Sequence, residues 1–263
     1  MPEPSTVILL IVGIIDTEQW LIFNVTTIDD LTSPLKPDED ILLWLDLERF
    51  TADVTSLSAK MSVGEQDDII KRMNFVKNRL IDLYQRNLVK INHSAMELVC
   101  AKHLIRYGYT VDVERQLTDI LICDVYAEKG EGAAIVEIET GFIPPEHALD
   151  PLSYYAARIA SKIARYSKYS NQFVLATPPV SVLPIPEVFR RPPRDRRPSE
   201  IEAVKALCDK YYRNPPVTED EILNGRLHII YIINIDAGKV IEMDVDSYFE
   251  EMAKMLSKAM SGL

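Results

Sequence analysis

Three carboxylates stand in sequence where burial would be expected. The stretch CDVYAEKGEGAAIVEIET, Cys123 to Thr140, carries two apolar runs around a Lys-Gly-Glu-Gly turn. Asp124 sits in the first run, and Glu137 and Glu139 in the second. Glu137 and Glu139 are two residues apart, so on a strand they share one face with Ile135, while Val136 and Ile138 face the other way. A hairpin around the turn brings Asp124 within a few residues of Glu137 across the sheet. Carboxylates held that close on a half-buried face raise one another's pKa and cost free energy. A divalent cation relieves that cost, and a small cluster of oxygen ligands suits Mg²⁺ or Mn²⁺.

The elements that must position these groups are legible around them. From Glu65 to about Lys90, Ile69, Met73, Val76, Leu80, Leu83 and Leu88 recur near three- and four-residue spacing, which predicts a helix. Asn92 or Ser94 can cap a second helix, AMELVCAKHLIRYG, which ends at Gly108 and carries Glu97. YTVDVERQL, DILICDVYAE and AAIVEIET then read as strands, the last two as a hairpin through Lys129–Gly132. A helix over Pro145–Tyr169, a strand at QFVLATPP, a helix from Ser199 to about Tyr212, a hairpin around Asp236–Gly238 and a C-terminal helix complete the order. Alternation of this kind predicts an α/β domain with a mixed sheet over 65–263. Ahead of it, Val7–Ile15, Gln19–Ile28 and Ile41–Leu47 read as strands of a small, mainly β domain over 1–60.

Asp124, then Glu137-Ile138-Glu139 on the next strand, behind a helix bearing Glu97, resembles the PD-(D/E)XK nuclease superfamily. The likeness runs from about residue 93 to 177. It implies a restriction-endonuclease-like core, a central mixed sheet flanked by helices, and Mg²⁺- or Mn²⁺-dependent hydrolysis of DNA phosphodiester bonds. It makes Asp124 and Glu137, with the Ile138 carbonyl, metal ligands, and Glu97 an additional one. The family's triplet lysine is replaced by Glu139, as in some restriction enzymes of the superfamily, and Glu139 would accept a proton from water or bind a second ion. In other members the lysine moves to the following helix. That helix offers Arg158, Lys162 and Arg165, and Lys162-Ile-Ala-Arg-Tyr166 is similar to the QxxxY motif of RecB-like members, with lysine for glutamine. Lys162 is thus the candidate catalytic cation, and Arg158 and Arg165 candidate contacts to the nucleic acid. The missing triplet lysine equally fits a nuclease-like scaffold without catalysis that binds nucleic acid or protein.

The same residues admit plainer roles. Glu137 and Glu139 could line a solvent-facing sheet paired with Arg158 or Lys162, and Asp124 could be solvated at an edge. Glu97 alone could be an ordinary surface glutamate. The four histidines are scattered without HExxH spacing, and neither a P-loop nor a GxSxG motif is present.

Composition narrows the setting. The chain has 263 residues, is 47% hydrophobic and carries a net charge of −11, which excludes a generally cationic nucleic-acid coat protein. The charge is uneven. Residues 1–64 hold eleven acids and three bases, so this region is expected to stay off nucleic acid and to serve packing, homodimer formation or a protein partner. FRRPPRDRRP, Phe189 to Pro198, places Arg190, Arg191, Arg194, Arg196 and Arg197 against one aspartate, a loop suited to tracking a nucleic-acid backbone. The longest apolar run, Val7–Ile15, is well short of the roughly 20 residues that span a bilayer and lacks a basic lead. Three separated cysteines suit a reducing, cytoplasmic compartment.

Overall fold

The computed structural model describes residues 39–89, 91–179 and 181–261. The expected strands at Val7–Ile15 and Gln19–Ile28 lie outside them. Ile41–Leu47, read above as a strand, is helical. It falls inside α1 (Glu39–Ser62), because its apolar residues continue into the 3–4 spacing of Phe50, Val54, Leu57 and Met61. The chain divides at Glu48, and Arg49–Leu263 forms one compact unit.

In that unit α2 (Asp67–Gln85) and α3 (Ile91–Arg106) precede β1 (Thr110–Gln116), β2 (Ile122–Lys129) and β3 (Gly132–Ile138). Helix α3 begins ahead of both cap candidates, and Ser94 is fully buried within it. Then come α4 (Pro151–Tyr166), β4 (Gln172–Thr177), α5 (Pro198–Asp209), α6 (Glu219–Asn224), β5 (Ile229–Asn234), β6 (Lys239–Met243) and α7 (Val245–Ser261).

The six strands lie in one sheet in chain order. β1, β2 and β3 form an antiparallel meander, β4 and β5 join parallel to β3, and β6 closes antiparallel. The mixed sheet follows from the connections. Tight turns join antiparallel neighbours, and helical crossovers join β3 to β4 and β4 to β5. The expected α/β class is therefore the observed one: a mixed six-stranded sheet flanked by seven helices among the described residues.

Each face of the sheet carries its own core. Leu80, Leu98, Leu104, Val113, Val136 and Ile138 pack on the side of α2 and α3. Ile135, Ile159, Ile163, Phe173 and Leu175 pack on the side of α4. The alternation of Ile135 against Val136 and Ile138 is the pleat of β3 expressed as burial. None of the described helices is long and apolar enough to cross a membrane.

The two cores set the first expectation. Leu80→Ala and Ile159→Ala, each at a fully buried position, should destabilise by about 2–5 kcal/mol in urea denaturation. Val63→Ala, 81% exposed, should stay within about 0.5 kcal/mol.

Candidate active site

The site is built where β2 and β3 meet α3 and α4. The β2–β3 register pairs Val125 with Val136, so the next residues outward, Asp124 and Glu137, come opposite one another. Two hydrogen bonds lock them. Asp124 N donates to Glu137 Oε1 at 3.2 Å, and Ile138 N donates to Asp124 Oδ2 at 2.5 Å. Glu137 and Glu139 are 1% and 3% exposed, both toward α4.

Helix α4 answers with a stripe of its own. Arg158, Lys162 and Tyr166 recur every four residues and therefore share a face. Lys162 Nζ lies 3.0 Å from Glu137 Oε2, 2.9 Å from Glu139 Oε1 and 3.7 Å from Asp124 Oδ2. It also donates to the Ile138 carbonyl at 3.2 Å, so that oxygen, expected as a metal ligand, is already taken by the lysine. Arg158 Nη2 pairs with the other oxygen of Glu139 at 3.0 Å, and its Nη1 donates to Phe142 O. The solvated-sheet reading of Glu137 and Glu139 fails on their burial, although its pairing with Arg158 and Lys162 is real.

On its other side Asp124 faces α3. His93 and Glu97 stand one turn apart, and His93 Nδ1 lies 3.7 Å from Glu97 Oε1 and 3.8 Å from Asp124 Oδ1. Glu114 completes the group, and one ligand atom from each of His93, Glu97, Glu114 and Asp124 lies within 4.8 Å of all the others. An ion with ligand distances of about 2.1–2.4 Å spans about 4.2–4.8 Å between opposite ligands, so this spacing suits a shared divalent cation. Glu97 is fully buried and, apart from the neighbouring Glu114 carboxyl, neither of its carboxylate oxygens has a hydrogen-bond partner among the described residues. A buried carboxylate so placed is costly unless a cation meets it or it takes up a proton. The donor set therefore fits a metal ion.

Backbone conformation explains how Asp124 serves both sides. Glu114 has φ 49°, which is rare for a residue with a side chain. The β1–β2 ladder pairs Val113 with Val125 and Arg115 with Cys123, passing over Glu114 and Asp124. Cys123 and Val125, two apart, end in the two different cores. The strand thus rotates about Asp124 and leaves it at the junction of both helices.

Proton affinities follow this crowding. Burial, then the Asp124 charge, holds the Glu97 carboxyl well above its ordinary range. Burial, then Glu97 and Asp124, pushes Glu114 up to about 8. Burial and Asp124 raise Glu137 to about 8 against the pull of Lys162. Burial works to lower Lys162, but Glu137, Asp124 and Glu139 outweigh it and keep the ammonium well above its usual value. Burial, then Glu137, raises the Tyr166 phenol.

A cavity of about 410 Å³, lined by His93, Glu139, Thr140, Phe142, Arg158 and Lys162 among others, opens onto the site. The sequence brought forward Glu97, Asp124, Glu137, Glu139, Lys162 and Arg158, and the structure brings all six together. Glu137, expected beside Asp124 and Glu97 on the ion, falls outside the four-residue ligand group because Lys162 holds it on the α4 side. His93 and Glu114 were missed. The i,i+4 spacing of His93 and Glu97 was a usable signal, whereas nothing in sequence marked the backbone kink at Glu114.

The remaining arginines lie elsewhere. Arg165 donates to Pro215 O. Arg190 pairs with Glu187 and Asp246, and Arg191 with Glu200 at 2.6 Å. Arg194 is open, with its side chain 85% exposed, and Arg197 opens α5. Arg196, placed in sequence on a nucleic-acid-tracking loop, is 7% exposed and donates to the Ile222 and Leu223 carbonyls, so it braces α6.

Neither family models nor curated protein sequences match this chain. Among solved structures, a chain of a CdiA-CT/CdiI toxin and immunity complex from Burkholderia pseudomallei aligns over 58% of this chain and 85% of its own, at 14% identity and a TM-score of 0.24. A likeness that weak carries no weight for function.

Glu97 and Glu114 bind a proton more tightly folded than unfolded. Their contribution to stability is full below the ordinary carboxyl range and is lost as pH rises through the raised folded values, about 8 for Glu114. In EDTA, the melting temperature should fall between about pH 5 and about pH 8.5. Glu114→Gln should flatten that fall and melt above wild type at the alkaline end. Mn²⁺ should raise the melting temperature more at the alkaline end than at the acidic end.

Proposed function

We propose that the chain is a metal-dependent nuclease that hydrolyses DNA phosphodiester bonds at the Asp124–Glu137 junction, in the manner of the PD-(D/E)XK superfamily. The observation that carries this reading is one lysine from the following helix, Lys162, within 3.7 Å of Asp124, Glu137 and Glu139. That is where the superfamily's lysine stands when it has left the triplet. Tyr166, one turn on and within the field of Glu137, supports the QxxxY-like match.

Asp124, Glu97, Glu114 and His93 would hold the ion, with Glu137 adjoining. When bound, a divalent cation supplies Lewis acidity toward a phosphoryl oxygen and toward water. Glu139 sits at the cavity wall, where it can take a proton from the attacking water. Lys162, reaching the same cavity, offsets charge that develops on the phosphoryl oxygens. Arg158 fixes Glu139 and keeps its second oxygen from turning away. An imidazole among the ligands favours Mn²⁺ over Mg²⁺, since Mg²⁺ prefers oxygen alone.

The non-catalytic scaffold has one observation in its favour. Glu139 is paired by both Lys162 and Arg158, a closed charge set that can stand as structure alone. Cleavage decides between the two. Wild type and variants should be incubated with plasmid, single-stranded and branched DNA plus Mg²⁺ or Mn²⁺. Wild type should cut, and faster with Mn²⁺. Asp124→Asn should nearly abolish cutting while leaving metal-free DNA affinity unreduced. Glu139→Gln should slow it by about 10²-fold, and Lys162→Ala by about 10²–10³-fold with somewhat weaker binding. Failure of wild type on every DNA form, with DNA binding intact, favours the scaffold. An Asp124→Asn protein that cuts like wild type removes the assigned site.

A further inference from the structure

Charge of the opposite sign is concentrated outside the carboxylate site. A cavity of about 590 Å³ is lined by Arg190, Arg191, Arg194, Arg196, Arg226 and His228, with apolar walls, and no acidic residue lines it among the described residues. The five arginines are not equally neutralised. Arg190 and Arg191 have carboxylate partners behind them at 2.8 and 2.6 Å. Arg194 meets Asp195 only at 3.7 Å and in open solvent, where such a pair contributes little.

Arg196 and Arg226 are different. The Arg196 side chain is held rigidly, with Nη1 on the Ile222 and Leu223 carbonyls at 2.7 and 2.8 Å and Nε on the Arg191 carbonyl at 3.0 Å. Those are dipoles, not charges, so a nearly buried guanidinium has no anionic partner among the described residues. The Arg226 side chain has no hydrogen bond or acidic partner among the described residues, and its exposed stem starts at the cavity wall. The two cations act on each other. Burial, then Arg226 and Arg191, draws the Arg196 pKa down to about 10. Arg191 adds a buried Nε without a hydrogen-bond partner among the described residues. His228 Nδ1 accepts from Phe173 N at 3.0 Å, so in the neutral ring the proton sits on Nε2 as a further donor.

We propose that this cavity is a binding site for a phosphoryl group, held between the guanidinium groups of Arg196 and Arg226. The planar Arg226 fork and Arg196 Nη2, the one Arg196 nitrogen that donates to no carbonyl among the described residues, can meet separate oxygens of a phosphate, and a doubly charged tetrahedral anion answers two uncompensated cations better than a carboxylate does. The phosphoryl group comes either from free phosphate or from a nucleic-acid strand. The inference stands apart from the nuclease reading, since it uses none of the carboxylate-site residues.

The test uses the full chain in EDTA, which silences the carboxylate site. Inorganic phosphate is titrated calorimetrically against chloride at matched ionic strength, and a short 5′-phosphorylated DNA strand is titrated in parallel. Wild type should bind phosphate above the chloride background. Arg226→Ala should weaken binding about tenfold or more, Arg226→Lys should fall between, and Arg86→Ala, exposed just past the end of α2, should leave it unchanged. Circular dichroism checks that each variant is folded. Arg226-dependent binding of the DNA strand without binding of free phosphate assigns the strand as the source and upholds the site. Absence of binding to either probe, or an Arg226→Ala protein that binds both like wild type, overturns the proposal.

Discussion

A lysine ammonium taken out of water is stable only where negative charge and hydrogen-bond acceptors surround it. Lys162 meets that condition through three carboxylates and one carbonyl, and much of the domain serves to keep them there. The carboxylates come from two strands whose register is fixed by the Lys129–Gly132 turn. The lysine comes from a helix whose neighbouring residues Ile159, Ile163, Ala160 and Ala164 belong to the core with Ile135, Phe173 and Leu175, on the same sheet face as the carboxylates. Slippage of the β2–β3 register by one residue would turn Glu137 and Glu139 to the α3 side and leave the lysine alone. The ion cluster and the hydrophobic packing therefore specify the same register.

Asp124 is the point where two electrostatic environments join. Toward α4 it belongs to a set that includes the Lys162 ammonium, and toward α3 to a set of two further carboxyls and one imidazole. Burial and then the neighbouring carboxylates raise the Glu97 and Glu114 carboxyls, whereas Glu137 has Lys162 to pull against the same tendency. The asymmetry gives the two sides different character. One is crowded with carboxyls, and the other holds a fixed ammonium between carboxylates. The unusual backbone at Glu114 is the local cost of placing one side chain between both.

Much of this was legible in sequence because it rests on short-range periodicities. The period of two in Ile135–Glu139, the period of four in Arg158, Lys162 and Tyr166, and the tight turn after Lys129 each specify a direction without knowledge of the fold. Other features were not readable for physical reasons. Ile41–Leu47 is apolar enough for either element, and only its continuation into Phe50, Val54 and Met61 decides for helix. Helix α6 was passed over because it has six residues, although Thr218 and Glu221 form a reciprocal capping box that the Thr-x-x-Glu spacing announces. The arginine loop misled in part, since a run of like charges reads as a solvated surface, yet Arg196 folds inward to satisfy carbonyls at the end of α6. Side-chain direction in an irregular loop has no period to read.

The net charge of −11 and the arginine cavity are compatible once distance is considered. Exposed charges separated by more than about 8–10 Å are largely screened at physiological ionic strength. The acidic surplus therefore sets solubility and the long-range field, while binding depends on what lies within a few ångströms. Near the carboxylates that environment is negative and attracts a cation. Near Arg196 and Arg226 it is positive and attracts an anion. An acidic chain repels nucleic acid at long range, so any contact with a phosphate backbone must be gained at such short-range sites, and its strength should depend on individual guanidinium groups more than on overall charge.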